Sequence, residues 1–493
     1  MKKFYITTPI YYASGTPHIG SAYTGLIADI IARYKRLKGF NVFFLTGTDE
    51  HGQKMADKAF EAGLTPKAFA DKVSKEFVKM SDLMNYSYDD FIRTTDKRHV
   101  KAAQEFFQKV FENGDIYKGA YEGWYCVPCE SYFTEKELVK NCCPDCGRLV
   151  KLLKEDSYFF KLSKYQNKII NHIKNNPDFI RPESRRNEVL SRLKNELRDL
   201  SVSRAKLKWG IPLPNDKSHV MYVWFDALTN YLTAIGYADD QKQFKKYWPA
   251  DLHLMGKEII WFHCVIWPAM LMSAGLPLPK QVFAHGWWTV NGDKMSKSKG
   301  NVILPADMIK KYGVDALRFC LASAMELGGD GDFTEELLKR VNNNELADEL
   351  GNLVNRVLAM TKKYFDLKVP RPDYKSKEYD SFKSLINTGV ADALLDKLEV
   401  QKAIKEIWLI IKNVNKYVND NEPWALAKNK DKKLDTVIYN LLEGLRVIAG
   451  LVSPFIPETA DKIKGMLVVK DFNSKLKPGQ KVKQGEVLFK KID

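Results

Sequence analysis

The chain has 493 residues, 45% of them hydrophobic and 28% charged, with a formal net charge of +16. That length is a soft prior for about three domains, and the apolar fraction is ordinary for a globular protein with several cores. No stretch approaches the roughly 20 apolar residues that a membrane helix needs, and Met1 to Thr8 runs straight into a strand-like segment without signal- or transit-peptide features. A cytoplasmic protein with no membrane span is expected. The positive charge suits a polyanionic partner such as nucleic acid, although a Lys-rich composition alone would give the same balance.

In chain order, Phe4 to Ile10 is a short β-rich apolar run. A loop with Ser14, Gly15 and Pro17 follows. Ile19, Tyr23, Leu26, Ile27, Ile30, Ile31 and Tyr34 then recur at helical spacing up to Gly39, and Asn41 to Gly47 reads as a buried strand. Strand, helix and strand in so few residues predict a βαβ unit of a parallel sheet, hence an α/β fold. Residues 116–215 interrupt the pattern with a cysteine cluster and a basic segment, Arg181 to Lys208, holding nine Lys/Arg against four Asp/Glu. Strand-like runs return at His219 to Phe225, Asp251 to Met255 and Gln281 to Ala284. Beyond about residue 335 the periodicity is helical, which predicts a helix bundle. The expected division is therefore 1–115 and 216–335 as two halves of a Rossmann-like domain split by the 116–215 insertion, then a helical domain over 336–465 and a polar tail over 466–493.

Two segments suit phosphate. His18 and Gly20 fall where the first helix starts. There, free backbone N–H groups and the positive dipole end favour an anion, glycine permits close approach, and a histidine can add a hydrogen bond. A histidine that simply caps the helix would look the same. Lys294-Met295-Ser296-Lys297-Ser298 lies between Gly292 and Gly300, and its ammonium groups could meet charge that develops on a leaving pyrophosphate. In that order, about 270 residues apart, the two segments point to one ATP gripped from both sides and to adenylyl transfer.

Five of the seven cysteines lie between Cys126 and Cys146. The Cys-x-x-Cys turns Cys126/Cys129 and Cys143/Cys146, separated by 13 residues, place four thiolates around one tetrahedral zinc. Such a shell is closed, so the zinc is expected to be structural. Cys142 is adjacent to Cys143 and could compete for the third position.

The chain resembles the class I aminoacyl-tRNA synthetases, whose two motifs are His-Ile-Gly-His and Lys-Met-Ser-Lys-Ser. Within them it is similar to the methionyl enzymes nearly end to end. Thr8-Pro9-Ile10-Tyr11-Tyr12, Thr46 to Gly52, Glu122 to Cys126, Tyr222 to Ala227, Gly256-Lys257-Glu258, His285-Gly286 and Glu422-Pro423-Trp424 carry that similarity. The resemblance implies that Ile10, Tyr12, Asp49, Trp224, Ala227, Tyr231 and His285 line a methionine pocket, with Asp49 holding the ammonium group. An aromatic and aliphatic slot suits a thioether, since a sulfur–aromatic contact contributes roughly 0.3–1.5 kcal/mol.

Gly256 and Glu258 are implied at the adenosine. His18, Gly20, Ser21, Lys294, Lys297 and Ser298 are implied at the phosphates of ATP, with His18, Lys294 and Lys297 catalytic and Mg²⁺ accompanying the nucleotide. Ser21 departs from the motif's final His; it can hydrogen-bond but carries no charge. Asn352, Arg356 and Trp424 are implied at the anticodon of tRNA(Met), where unstacked bases are read by stacking and edge hydrogen bonds.

The additional C-terminal module that mediates dimerisation in some members is not evident, so a monomer is expected. Leucine, isoleucine and valine enzymes carry a much larger editing insertion than 116–215 allows. A cysteine enzyme would keep its zinc open to substrate. A non-catalytic tRNA-binding protein, suggested by Ser21 and the basic charge, would bind tRNA without releasing pyrophosphate.

Overall fold

The computed structural model describes residues 2–13, 15–129, 131–133, 135–295 and 300–492, with the backbone alone at 121–122, 131–132 and 153–155. Two compact units share the chain: Met1–Ala28, Lys35–Asp82 and Tyr86–Gly286 form one, and Asp29–Tyr34, Leu83–Asn85 and Trp287–Asp493 the other.

The strands of the first unit are β1 (Lys3–Thr7), β2 (Tyr11–Tyr12), β3 (Asn41–Asp49), β4 (Asp90–Arg93), β5 (Ile116–Cys126), β6 (Ser131–Phe133), β7 (Lys151–Phe160), β8 (Ile180–Arg181), β9 (Leu200–Ser201), β10 (Ser203–Arg204), β11 (Val220–Met221), β12 (Leu252–Gly256) and β13 (Val282–His285). Seven of them make a parallel sheet in the order β8-β13-β12-β1-β3-β4, with β2 on the far end of β3. Its inner strands are buried on both faces, as parallel sheets require; every residue of β12 is buried. From β1 the chain steps one way to β3 and β4. From β12 it steps the other way to β13. The neighbours β1 and β12 therefore form a topological switch point, and ligands of such sheets bind outside the carboxyl ends of the strands there.

The run His219–Phe225 departs from the expected strand. Only Val220–Met221 is extended, and Val223–Leu228 is helical. Phe225 packs against Phe106 and Phe107 at ring distances of 5.9 and 5.5 Å. Five of the helix's six residues are buried, so no polar face marks the helical period. A short apolar run of this kind reads alike for a strand and a buried helix.

In the insertion, β5 and β7 pair antiparallel from Ile116↔Phe160 to Tyr125↔Lys151, flanked by β6 and β9. At the far end lies a small separate core of Cys126, Phe133, Cys143 and Val150.

The second unit opens with β14 (Trp288–Val290) and β15 (Asp293–Lys294), joined by β16 (Gly331–Asp332). Helices follow. Val400–Asn421 buries Val400, Ala403, Ile404, Ile407, Ile411, Val414 and Val418 along one stripe, the spacing that one helix face demands, and packs on Lys433–Val452. Arg318 is fully buried and donates to Asp29 Oδ2 (2.7 Å), Met84 O (2.8 Å), Phe455 O (2.9 Å) and Pro454 O (2.9 Å). Among the described residues, no helix is long and apolar enough to cross a membrane.

Candidate active site and metal centre

At the switch point the carboxyl ends of β1, β3, β12 and β13 set Tyr12 beside Asp49 and Gly256 beside His285. After β1, the Thr8 hydroxyl donates to Thr46 Oγ1 (2.8 Å) and the Thr8 N–H to Leu45 O (3.0 Å). The Ala13 N–H donates to Asp49 O (2.9 Å). The loop bearing Ile10 and Tyr12 is thus laced to the strand that ends in Asp49, which is buried. Ile10, Tyr12 and Trp224 are half-buried and pack against the main core.

The two residues after Asp49 are held from opposite sides. Glu50 is fully buried and accepts from Arg93 Nε (2.7 Å) and Nη2 (3.0 Å), Thr48 Oγ1 (2.7 Å) and Thr95 Oγ1 (2.5 Å). His51 Nδ1 lies 2.7 Å from Asp226 Oδ2. Sequence reasoning passed over Glu50, His51, Arg93 and Asp226. A carboxylate inside the apolar run Val223–Leu228 was the available signal, because a buried charge demands a partner.

Trp224 stacks on Phe262 at 3.8 Å and 11°. Tyr231 is buried, and its hydroxyl lies 2.7 Å from His263 Nε2. His263 Nδ1 faces the Ile259 carbonyl at 3.0 Å. A carbonyl only accepts, so Nδ1 carries the proton, Nε2 is bare, and the Tyr231 hydroxyl donates to it. Burial pushes the His263 pKa down to about 4, so this imidazole is neutral at physiological pH. Behind Tyr231, at 4.3 Å between rings, lies His253, itself held well below the usual histidine range by burial. Ala227 is buried one turn before Tyr231. Phe262 and His263 were missed in the sequence. Their signal was helical continuation of Gly256-Lys257-Glu258, with Ile259 and His263 four apart on one face.

His285 keeps different company. Its Nδ1 faces Gly286 O (2.7 Å), so its Nε2 accepts from Thr24 Oγ1 (2.7 Å), and its ring meets Tyr23 edge-on at 5.0 Å. It is the register partner of Gly256. A Cβ on Gly256 would come within 2.4 Å of a Glu258 carboxylate oxygen; the bare glycine leaves that space to the carboxylate. The structure thus brings Tyr231 to His263, and His285 to the helix after β1 and to the Gly256 end of β12.

That helix is Ile19–Leu37. Ser21 Oγ accepts from the backbone N–H of His18 in a long contact of 3.4 Å, in the place where a capping-box side chain reaches back to the helix start. Gly20 lies between them in the first turn, half-buried like His18.

In the second unit Lys294 is exposed, with its ammonium 4.1 Å from the Trp287 ring. Asp332 fixes the turn before it, accepting from Thr289 Oγ1 (2.7 Å) and the Gly292 N–H (2.9 Å). Lys297 and Ser298 lie outside the described residues. Arg356 Nη2 donates to Asn419 Oδ1 (2.9 Å), near the end of the helix after which Trp424 follows, 47% exposed. Asn352, one turn before Arg356, is exposed.

The sulfurs of Cys126, Cys129, Cys143 and Cys146 all lie within 4.8 Å of one another. Cys126–Cys146 and Cys129–Cys143 are 3.5 and 3.9 Å apart. Tetrahedral zinc with bonds of about 2.3 Å sets its sulfurs ~3.8 Å apart, so the donor set fits. Cys142 is outside this group; its backbone pairs with Val139 in both directions at 3.0 Å.

Comparison with known proteins bears on this arrangement. The family model described as tRNA synthetases class I (M) matches residues 4–150 and 149–358, and the anticodon binding domain of methionyl tRNA ligase matches 379–493. Sheet, switch-point site and paired motifs are those of a class I aminoacyl-tRNA synthetase. The methionine–tRNA ligase of Clostridium acetobutylicum is 50% identical over 508 residues, covering 100% of this chain and 78% of the relative. That of Thermotoga maritima is 49% identical over 507 residues, covering 100% and 80%. A structure of Mycobacterium tuberculosis methionyl-tRNA synthetase in complex with methionyl-adenylate matches with a TM-score of 0.95 and 41% identity, over 99% of this chain and 100% of that one. The chain belongs to the methionyl-tRNA synthetase family.

Proposed function

We propose that the chain is a methionine–tRNA ligase. It activates L-methionine with ATP and transfers the methionyl group to the 3′ end of tRNA(Met). A methionine carboxylate oxygen attacks the α-phosphorus of ATP in line; the bond to the β-phosphate oxygen breaks and pyrophosphate leaves with that electron pair. A hydroxyl of the terminal adenosine of tRNA then attacks the acyl carbon, and AMP departs. No side chain need serve as nucleophile, so positioning and electrostatics carry the rate.

The observation that carries the reading is full-length likeness to a methionyl-tRNA synthetase solved with methionyl-adenylate. The buried Tyr231–His263 pair supports it: both partners are neutral, so a thioether meets no charge there. Asp49 is assigned to the ammonium, Ile10, Tyr12, Trp224, Ala227, Tyr231 and His285 to the rest of the methionine pocket, and Gly256 and Glu258 to the adenosine. His18, Gly20, Ser21, Lys294, Lys297 and Ser298 are assigned to the phosphates, and Asn352, Arg356 and Trp424 to the anticodon. Mg²⁺ brought with ATP would screen the phosphate charge. Zinc at the four cysteines would hold the knuckle. We take the enzyme to be cytoplasmic and to act as a monomer.

ATP–pyrophosphate exchange with each of the twenty amino acids, without tRNA, tests the assignment. Exchange with methionine alone is expected. Exchange with another amino acid would retain the class and discard the pocket. Binding of tRNA with no exchange would leave a non-catalytic tRNA-binding protein.

A further inference from the structure

We propose that Asp226 is a positioning residue for amino-acid recognition: through His51 it fixes the Asp49–His51 segment against the helix that carries Trp224 and Ala227. The proposal rests on the assignment of Asp49, Tyr12, Trp224 and Ala227 to the methionine pocket.

Asp226 is fully buried on the helix Val223–Leu228, two residues after Trp224 and one before Ala227. Both carboxylate oxygens are engaged. Oδ2 meets His51 Nδ1 at 2.7 Å and Oδ1 meets His99 Nε2 at 2.7 Å. The His99 ring is steadied in turn by Thr233 Oγ1, 3.2 Å from its Nδ1. Burial works against ionisation of Asp226, and the two imidazoles outweigh it, holding the carboxyl below its usual range. A buried carboxylate with two ring N–H donors has fixed geometry, because each displaced donor would leave charge unsolvated.

What hangs on His51 gives this pair its role. The His51 carbonyl accepts from the Tyr12 hydroxyl (3.3 Å). Its ring meets Trp209 at 5.3 Å, and the Trp209 N–H donates to Glu50 O (2.6 Å). The neighbouring anchor is separate. Glu50 is gripped by Arg93 and Thr95, and its N–H donates to Thr94 Oγ1 (2.9 Å), so that grip fastens the segment to β4. The Asp226–His51 bond joins the segment to the helix that presents Trp224. Breaking it leaves the Glu50 anchor intact and frees the distance between the group that takes the substrate ammonium and the slot that takes its side chain. Methionine affinity should fall while the adenosine side, built on Gly256 and Glu258, is untouched.

The test uses the full chain and compares Asp226→Asn, His51→Ala, His51→Asn and the double variant Asp226→Asn/His51→Ala. ATP–pyrophosphate exchange is measured with methionine and ATP varied separately, and active sites are counted by the burst of methionyl-adenylate. Asp226→Asn and His51→Ala should each raise the methionine KM on the order of tenfold or more, with the ATP KM within about twofold, since misplacement by ~1 Å is enough for such losses. The double variant should be no worse than the weaker single, because both remove one interaction. His51→Asn, whose amide can donate where Nδ1 did, should restore most of the affinity.

An unchanged methionine KM in His51→Ala would overturn the proposal. So would a parallel rise in both KM values, losses that multiply in the double variant, or an effect confined to the active-site count. Should Asp226→Asn fail to fold, the His51→Ala and His51→Asn comparison decides alone. A wild-type protein without methionine-dependent exchange would instead refute the pocket assignment.

Discussion

Replacing Gly47 by alanine puts the sheet geometry to a direct test. At Gly47, β3 approaches β4 so closely that a Cβ would stand 2.0 Å from the Ile92 carbonyl oxygen and 2.8 Å from both its carbonyl carbon and Cγ2. A carbon tolerates an oxygen at about 3.3 Å, so β4 must recede by more than ~1 Å. The backbone cannot rotate away as a flexible side chain would, because Gly47 pairs with Ile92 between Thr46↔Phe91 and Thr48↔Arg93. Losing about two ladder hydrogen bonds at ~1 kcal/mol each, together with overpacking of roughly 1–3 kcal/mol, gives a cost on the order of 3–5 kcal/mol. For a unit of this size the unfolding entropy is about 0.6 kcal/mol/K, so Tm should fall by ~5–8 °C. β4 ends in Arg93, which grips Glu50 beside Asp49, so the methionine KM should rise as well. Calorimetry of Gly47→Ala beside ATP–pyrophosphate exchange reads both effects. A Tm within about 1 °C of wild type and an unchanged KM would show that the close approach constrains nothing, and would refute the reasoning.

Among the described residues Tyr231 is the one donor to His263 Nε2 (2.7 Å), and Tyr231→Phe removes it; leaving a buried acceptor unpaired costs roughly 1–3 kcal/mol, so a methionine KM about 5- to 150-fold higher is expected in the exchange assay. His263 has a folded pKa of about 4 against ~6.5 unfolded, so the unfolded chain binds the extra proton between these values. Stability should therefore drop as pH falls through that window, by ~3 kcal/mol from this group, and His253 acts in the same direction; urea midpoints at pH 7 and pH 4 measure it, and His263→Gln should flatten the slope. Metal analysis should find about one zinc per chain, and Cys143→Ser should abolish it while the parallel-sheet unit stays folded; full zinc content in that variant would place the metal elsewhere. Trp424→Ala should lower kcat/KM for tRNA by about 5- to 150-fold, the value of one base stack, with methionine-dependent exchange unaltered; an equal loss in both assays would show a structural role.

The sequence made legible whatever repeats a short physical pattern. The βαβ opening was read from Phe4 to Gly47 because burial of a parallel strand and the helical period leave distinct traces. The knuckle followed from two Cys-x-x-Cys turns, and the structure brings those four sulfurs together while setting Cys142 apart. Less visible was anything that depends on contact across long separations. Asp226 lies 175 residues from His51 and 127 from His99, and no local spacing foretells either bond. The Tyr231–His263 pair was hidden for a related reason: His263 sits in an apolar helix where a satisfied core histidine would look the same. The helix at Val223–Leu228 was mistaken for strand because it is buried nearly all round.

Among the described residues, the knuckle's core is Phe133 and Val150 beside Cys126 and Cys143, with the partly buried Trp124, Cys129 and Leu138 against it. So small a core leaves much of the entropy of ordering the hairpin to be offset by bonds to the proposed ion. Maturation of each newly made chain would then wait on the supply of a trace element. The dependence also has a chemical edge. Thiols spaced for a tetrahedral ion are a short step from joining one another, so an oxidising cytoplasm would compete with zinc for the same sulfurs. On the proposed reading, a shortage of metal or of reductant would reach protein synthesis through this one hairpin.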